Sequence, residues 1–166
     1  MTLQGYPVTA VAEVVEPPEL YEWFVHTREV LGMQIIPLDK NAGTNVLEAL
    51  REGAIVALLA DRDLKGSGVE VSFFGEETTI PAGPAAMAIR TGATLLPVGC
   101  YFRPGGEHFA QILPPITYDS NVKFREEVQR VSQVLTDRME ELIQTAPENW
   151  HVLQPLWPSD RKSEKN

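Results

Sequence analysis

The stretch Ala54-Ile-Val-Ala-Leu-Leu-Ala60 decides the fold, because it is a run of seven apolar residues without a charge. Such a run is typical of a strand that is buried on both faces, as in a parallel sheet. Directly after it come Asp61-Arg62-Asp63, and then the loop Leu64-Lys65-Gly66-Ser67-Gly68. Ligands in open α/β sheets bind just past the carboxyl ends of strands, so the three charged residues are candidate site residues. The alternative is that Arg62 only ties the loop to a neighbouring carboxylate, since structural ion pairs also gather there.

Strand patterns and helix patterns alternate on both sides of this run. Besides residues 54–60, strands are predicted at residues 7–15, 33–37, 69–74, 94–102 and 108–113. Helices are predicted at residues 18–31, 44–51, 85–91 and 121–145. This alternation indicates an α/β protein with a mixed, mainly parallel sheet that is flanked by helices. We therefore expect one domain over residues 1–158 and a disordered tail at residues 159–166.

Composition and charge exclude several classes of function. With 14 basic and 23 acidic residues the net charge is −9, which argues against a nucleic-acid binder and against attachment to an anionic membrane by charge. Cys100 is the only cysteine, so no intrachain disulfide is possible and no zinc cluster is indicated; we expect a small core residue on a strand. No apolar run approaches 18 residues, and no signal-peptide pattern opens the sequence.

The first predicted helix carries an arginine on its apolar face. Three residues at spacings of 4 and 7 form that face: Leu20, Phe24 and Leu31. Arg28 falls on the same face, and an arginine on a core-facing stripe is seldom buried without a partner. We expect it to bond Glu13, Asp61 or Asp63, or a bound anionic group. The alternative is that its stem packs while its guanidinium reaches water.

Two further positions are open to more than one interpretation. The loop Gly66-Ser67-Gly68 lacks the Gly-Lys-Ser/Thr ending of a P-loop and the Gly-x-Gly-x-x-Gly of a dinucleotide site, which favours a flexible turn. Glu70 lies on the more polar face of the strand at residues 69–74. It is therefore either a solvent-facing carboxylate or a site residue.

An ordered set of segments in this region resembles one enzyme superfamily. The segments are Leu58-Leu-Ala-Asp-Arg-Asp63, Gly68-Val-Glu-Val-Ser-Phe-Phe-Gly75, Pro81-Ala-Gly-Pro-Ala85 and Thr91-Gly-Ala-Thr-Leu-Leu-Pro-Val98. Together they resemble the lipid A biosynthesis acyltransferases, the lauroyl and myristoyl transferases. Within that group the chain is most similar to the phosphatidylinositol mannoside acyltransferases of mycobacterial-type envelopes. The resemblance extends from about Val8 to Trp157.

The resemblance implies a fold, a reaction and a location. The implied fold is that of the glycerol-phosphate-acyltransferase-like enzymes, of which this chain would be a part. The implied reaction transfers a fatty acyl group from acyl-CoA, a co-substrate, to a mannose hydroxyl of a glycolipid at the cytoplasmic face of the inner membrane, with no cofactor and no metal. The residues implied in support of catalysis are Glu13, Arg28, Asp61, Arg62, Asp63 and Glu70. Lys65 is a candidate contact for a phosphate of coenzyme A.

One departure from the family pattern bears on activity. The superfamily carries a catalytic His-x-x-x-x-Asp or His-x-x-x-x-Glu box, upstream of a segment that resembles Thr9-Ala-Val-Ala-Glu13. Here the residues five positions after the three histidines, His26, His108 and His151, are Leu31, Leu113 and Leu156. We therefore expect the C-terminal part of an acyltransferase, inactive alone, whose partner is the N-terminal part of the same enzyme. The alternatives are a non-catalytic fragment that binds an acyl chain or a partner, and an unrelated nucleotide-binding α/β domain, which the missing glycine motifs disfavour.

Overall fold

The computed structural model describes residues 5–63 and 66–163, with the backbone alone for residues 161–163. The chain divides into two compact units, the first ending at Leu59 and the second beginning at Ala60. The sequence was interpreted as one domain over residues 1–158. We describe each unit by itself.

The first unit is built on a parallel sheet. Its elements are β1 (Val8–Ala12), α1 (Pro18–Val30), β2 (Met33–Pro37), α2 (Ala42–Arg51) and β3 (Ile55–Ala57). Strand β1 lies between β2 and β3 and pairs in parallel with both. Helix α2 buries three apolar side chains, those of Ala42, Val46 and Ala49. The parallel sheet that the sequence predicted is therefore present in this unit.

Strand β3 differs from the prediction of a central, doubly buried strand. It has three residues and lies at the edge of the sheet, paired only with Val8–Ala10 of β1. Ile55 is 40% exposed and Leu59 is 76% exposed. The pairing in the structure stops at Ala57, so the remaining apolar residues of the run continue outside the strand. An apolar run gives no direct information on which strand occupies the centre of a sheet.

Helix α1 forms where the sequence predicted it, but it buries no side chain. Leu20, Phe24 and Leu31, the expected core-facing stripe, are all exposed. The spacing of the apolar residues therefore predicted the helix correctly, but the prediction that its apolar face is buried is wrong.

The second unit contains two antiparallel hairpins and a long helix. Its elements are β4 (Val69–Phe73), β5 (Glu76–Ile80), α3 (Gly83–Thr91), β6 (Val98–Phe102), β7 (His108–Ile112), α4 (Phe124–Thr145), a 3-10 turn (Pro147–Asn149) and α5 (Pro158–Ser163). Strand β4 pairs with β5 and β6 pairs with β7, both antiparallel. A mainly parallel sheet is therefore wrong for the described strands of this unit.

Strand β5 was not predicted from the sequence, although a local signal for it exists. Phe74 and Gly75 connect β4 to β5, and both have positive φ angles, 52° and 81°. Two such residues form the tight turn whose twist matches a hairpin. Thr78, Thr79 and Ile80, which follow, are β-branched residues that favour strands. A glycine followed by β-branched residues was the signal available here.

Helix α4 covers the hairpin β4–β5 and protects its edge. The main buried apolar cluster of this unit contains Val71, Ile80, Ala85, Ile116, Val128, Val131, Leu135 and Met139. Gln133 bonds both backbone groups of Ser72, each at 2.9 Å. The Phe74 N–H donates to Glu140 Oε1 at 2.6 Å. These side chains satisfy backbone groups that an open strand edge would leave available to another chain.

Two further expectations are corrected in this unit. The tail was predicted to be disordered from Ser159, but α5 occupies Pro158–Ser163; residues 164–166 lie outside the described part. Asp160 Oδ2 accepts hydrogen bonds from the N–H groups of Leu156 and Trp157 at 2.9 and 3.0 Å. These bonds fix the residues that precede the helix to its first turn. Cys100 was expected in the core but is exposed, because its side chain lies on the outer face of β6.

Candidate functional site

The charged residues after the apolar run form the centre of the candidate site. We call Asp61-Arg62-Asp63 the acidic turn; it lies in the second unit. Asp61 Oδ2 accepts a hydrogen bond from the indole Nε1 of Trp150 at 2.9 Å. These residues are 89 positions apart in the sequence, so the bond fixes the C-terminal segment to the acidic turn. The sequence analysis identified Asp61 but not its partner.

Asp63 joins Gly68 to the second strand of the hairpin β4–β5. Its Oδ2 accepts bonds from the Gly68 N–H at 2.6 Å and from Thr79 Oγ1 at 3.0 Å. A Cβ atom at Gly68 would overlap the carbonyl of Ile80 and crowd the Asp63 carboxylate. Gly68 is therefore required by close packing, and the interpretation of residues 66–68 as only a flexible turn is incomplete.

Arg62 faces the C-terminal segment. Its Nη1 donates to Gln154 Oε1 at 3.1 Å. Beside this bond lies a pocket of about 30 Å³, lined by Arg62, Asp63, Thr78, Thr79, Val152, Gln154, Pro155 and Leu156. A cavity of this size holds about one water molecule. A wider, open cleft of about 480 Å³ shares Val152, Gln154, Pro155 and Leu156 with this small pocket.

An aromatic cluster adjoins the acidic turn. Phe73, at the end of β4, lies between two tryptophans, with ring centroids 5.7 Å from Trp150 and 5.9 Å from Trp157. The Trp157 indole also donates to the Phe73 carbonyl at 2.9 Å. The sequence left open whether these tryptophans cover the core or lie at a membrane interface. Both are half-buried against the hairpin, where they extend the core.

Glu70 and Asp63 lie on the same face of the hairpin β4–β5. Glu70 is directly opposite Thr79 in the register, and opposed residues of an antiparallel pair share a face. Thr79 is also the residue whose hydroxyl bonds Asp63. The Glu70 side chain is exposed, as the solvent-facing interpretation predicted. The structure thus brings Asp61, Arg62 and Asp63 together with the hairpin that carries Glu70.

Glu13 and Arg28 belong to the first unit. The Arg28 guanidinium donates to the Phe24 carbonyl of its own helix at 2.9 Å and lies 5.4 Å from the centre of the Phe24 ring. Both described contacts of the Arg28 guanidinium lie within its own helix, and the expected bond to Glu13 stays a prediction. Its premise fails because the helix face is exposed. A bond to Asp61 or Asp63 stays a prediction, and Lys65 lies outside the described residues.

The sequence patterns did not reveal a charged pair in helix α4 that joins a buried glutamate to a half-exposed arginine. Glu127 is 1% exposed and accepts bonds from Arg130 Nε and Nη2 at 3.0 and 2.6 Å and from the Asp119 N–H at 2.7 Å. The hydrogen bonds from Arg130 are the main reason that the pKa of Glu127 lies below its ordinary value, and burial opposes them. The same bonds raise the pKa of Arg130. The i,i+3 spacing next to the apolar stripe of α4 was the available signal.

Comparison with known proteins decides the family. Residues 1–159 match the profile of the bacterial lipid A biosynthesis acyltransferases. The chain belongs to this acyltransferase family. The match includes every residue of the acidic turn and of both hairpins. The family predicted from the segments between Leu58 and Val98 is thereby confirmed.

The relatives of this acyltransferase chain include named mycobacterial enzymes. A phosphatidylinositol mannoside acyltransferase of Mycolicibacterium smegmatis is 41% identical over 167 aligned positions, which cover 98% of this chain and 53% of the relative. The protein of that name from Mycobacterium tuberculosis strain H37Rv is 43% identical over 155 positions, covering 92% of this chain and 47% of the relative. The chain thus spans about half the length of the curated relatives that it matches.

The described contacts of the acidic turn are hydrogen bonds that join it to the hairpin β4–β5 and to the C-terminal segment. Acyl transfer needs a base for the attacking hydroxyl and donors for the developing oxyanion. The described bonds of Asp61 and Asp63 are to an indole, a backbone N–H and a hydroxyl, so these carboxylates position the C-terminal segment and the loop. Among the described residues, no group of three or more His, Cys, Asp or Glu side chains could hold a metal ion. No helix in the same residues is long and apolar enough to span a bilayer.

Proposed function

We propose that the protein containing this chain transfers a fatty acyl group from an acyl thioester, acyl-CoA, to a hydroxyl of a glycolipid. The proposed acceptor is a mannose of a phosphatidylinositol mannoside. One observation carries the proposal: identity of 41–43% over 92–98% of this chain to enzymes with that name. Acyl-CoA is consumed as a co-substrate, and the reaction needs no other cofactor.

The chemistry assigns the base to a residue outside this sequence. The acceptor hydroxyl loses its proton to a histidine as its oxygen attacks the thioester carbonyl carbon. The carbon–sulfur bond then breaks, and the thiolate leaves and takes up a proton. No histidine of this chain has a carboxylate five positions later. We therefore propose that the N-terminal part of the enzyme supplies the His box, and that these 166 residues alone transfer nothing.

The proposed contribution of this chain is the wall that supports the site. The acidic turn, with its bonds to Trp150 and Thr79, fixes one hairpin and the C-terminal segment as a rigid body. Glu13, Arg28 and Glu70 are proposed as further supporting residues on the strength of the family resemblance. Lys65 is proposed to contact a phosphate of coenzyme A. Its replacement by alanine should raise the KM for acyl-CoA more than it lowers kcat.

The proposed location is peripheral, at the cytoplasmic face of the inner membrane. The proposal follows from the acceptor, since a phosphatidylinositol mannoside carries its lipid anchor in the bilayer. The net charge of −9 weakens any attraction to anionic headgroups, so contacts with the acceptor itself would retain the enzyme there. The same charge disfavours a nucleic acid as a partner.

A hybrid enzyme tests the proposal. The half of the M. smegmatis relative that this chain matches is replaced by this chain, and the hybrid is incubated with palmitoyl-CoA and a phosphatidylinositol mannoside. The proposal predicts transfer by the hybrid and none by either half alone. A hybrid that is monodisperse and unfolds cooperatively but transfers nothing contradicts it. If the fusion does not fold, the co-expressed halves provide the same comparison.

The same samples distinguish the proposed enzyme from the alternative, a non-catalytic fragment that only binds an acyl chain. Palmitoyl-CoA binding to the 166-residue chain alone is measured by isothermal titration. Binding by the chain, together with no transfer by the folded hybrid or by the paired halves, would favour a fragment that only holds an acyl chain. Transfer by the hybrid excludes that alternative for this sequence.

A further inference from the structure

The hairpin β6–β7 exposes a complete apolar face. Opposed residues in its register share a face, which here consists of Val98, Cys100, Phe102, His108, Ala110 and Ile112. All six side chains are exposed, with Phe102 at 64%. We call this set the open face. It carries no acidic, lysine or arginine side chain.

On the opposite face of the same hairpin, helix α4 covers strand β6, whereas Phe109 of β7 is 39% exposed. Tyr101 on that face is buried, and its hydroxyl donates to the Leu142 carbonyl at 2.8 Å. Phe109, its cross-strand neighbour, stacks on it with ring centroids 6.2 Å apart. Apolar residues therefore occupy both faces of the hairpin. A strand with two apolar faces is typical of a sheet that is covered on both sides.

We propose that the open face is the docking surface for the polypeptide that corresponds to the other half of the relatives. Each relative contains about as many residues outside the matched part as inside it, so enough chain exists to form a second covering layer. Sheets of α/β proteins bury their faces against helices. The expected occupant is therefore a protein segment with an apolar face, from the remainder of the same enzyme.

Charge disfavours a bilayer as the occupant. Anionic lipid surfaces attract clusters of lysine and arginine, whereas the open face has none and the chain carries a net charge of −9. Apolar patches that are not membrane anchors mark protein interfaces when several large side chains adjoin. Val98 and Ile112 are opposed at one end of the register, and Phe102 is opposed to His108 at the other end.

The single cysteine of the chain reports directly on this surface. Cys100 is exposed at the centre of the open face. The rate of its reaction with a maleimide is measured in the 166-residue chain and in the hybrid enzyme described above, whose other cysteines are replaced by serine. We expect the rate to fall about tenfold or more in the hybrid, because a covered thiol reacts only when the structure opens locally.

Two matched variants distinguish docking from a general change in the protein. Phe102→Asp places a charge on the open face and should restore the reactivity of Cys100 in the hybrid. Leu153→Asp, at a side chain that is 97% exposed and outside the open face, should leave Cys100 protected. Circular dichroism of both variants verifies that they are folded. An equal loss of protection in both variants would contradict the proposed surface.

The remaining outcomes name other occupants. Protection of Cys100 in the chain alone that increases with its concentration would assign the open face to a second copy. Protection by vesicles of phosphatidylcholine with anionic lipid would assign it to a membrane. Equal reactivity in the chain and in the folded hybrid would overturn the proposal. No acyl transfer is needed for this measurement, so a reactive Cys100 in an active hybrid refutes the surface and leaves the proposed function intact.

Discussion

Replacing Arg130 by methionine removes the guanidinium of the charged pair in helix α4 and keeps most of the apolar stem. The Glu127 carboxylate, only 1% exposed, then retains the Asp119 N–H as its described donor. Removing one partner of a fully buried ion pair costs about 3–5 kcal/mol. The Arg130 side chain is 49% exposed, so water can reach the vacated side. We therefore expect the smaller loss typical of hydrogen bonds to a charged group, roughly 1.5–3 kcal/mol at pH 7.

The loss should depend on pH in a defined direction. In the native chain the pKa of Glu127 is below its ordinary value of 4.5, mainly because Arg130 bonds it. The pair therefore stabilises the fold fully above pH 4.5 and less as the pH falls through the lowered folded pKa. Replacing Arg130 removes the largest cause of this lowering, so we expect the pKa of Glu127 to be higher in the variant than in the native chain. Protonation of Glu127 then removes the unpaired charge in the variant. The difference in the free energy of unfolding between the native chain and the variant should therefore shrink from pH 7 to pH 4.

Urea denaturation at pH 7, 5.5 and 4 measures the free energy of unfolding of the native chain and of the variant. Both chains carry Trp23→Phe, so that fluorescence reports the tryptophans of the second unit. Arg138→Met is the matched control, because Arg138 pairs with Glu141 at the same i,i+3 spacing in α4, but both side chains are about half exposed. The control should change stability little at every pH. If the loss in the free energy of unfolding caused by Arg130→Met is constant or grows towards pH 4, Arg130 does not act by stabilising the ionised Glu127.

Two other substitutions test the acidic turn and its loop. Asp61→Ala removes the acceptor of the Trp150 indole, so it should lower the free energy of unfolding by about 1 kcal/mol and shift the tryptophan emission to the red. Asp61→Asn keeps an oxygen acceptor and should lose less stability. An equal loss of stability in both variants would argue against the hydrogen bond. Gly68→Ala would overlap the Ile80 carbonyl and should lower the urea midpoint clearly, whereas Gly83→Ala, whose Cβ meets open space, should not; equal midpoints would contradict the close packing.

Local patterns predicted most elements, and long-range pairing produced the differences. Helix α1 begins at Pro18 and β2 spans Met33–Pro37 in both the prediction and the structure, because proline and helical or alternating periodicity are local signals. The apolar run of residues 54–60 predicted a central strand buried on both faces, but β3 is an edge strand with exposed side chains, and β1 takes the central place. Pairing order depends on partners distant in sequence, which the run itself does not contain.

The candidate site was predicted in position but not in connectivity. Charged residues at the end of an apolar run identified Asp61, Arg62 and Asp63, and all three have side-chain bonds in the structure. Their described side-chain partners, Thr79, Trp150 and Gln154, are 16 to 92 residues away, and no spacing rule relates them. The stripe on α1 predicted a buried Arg28 because periodicity shows which side chains share a face and not what covers that face.

The acceptor preference of the hybrid enzyme tests the central claim most directly. Palmitoyl-CoA is supplied with either a phosphatidylinositol mannoside or phosphatidylinositol, and the lipid product is identified by mass spectrometry. We expect the mannoside to gain one palmitoyl group and phosphatidylinositol, which lacks mannose, to gain none. Equal acylation of both lipids, or release of free palmitate with no acylated lipid from a folded hybrid, would contradict this claim.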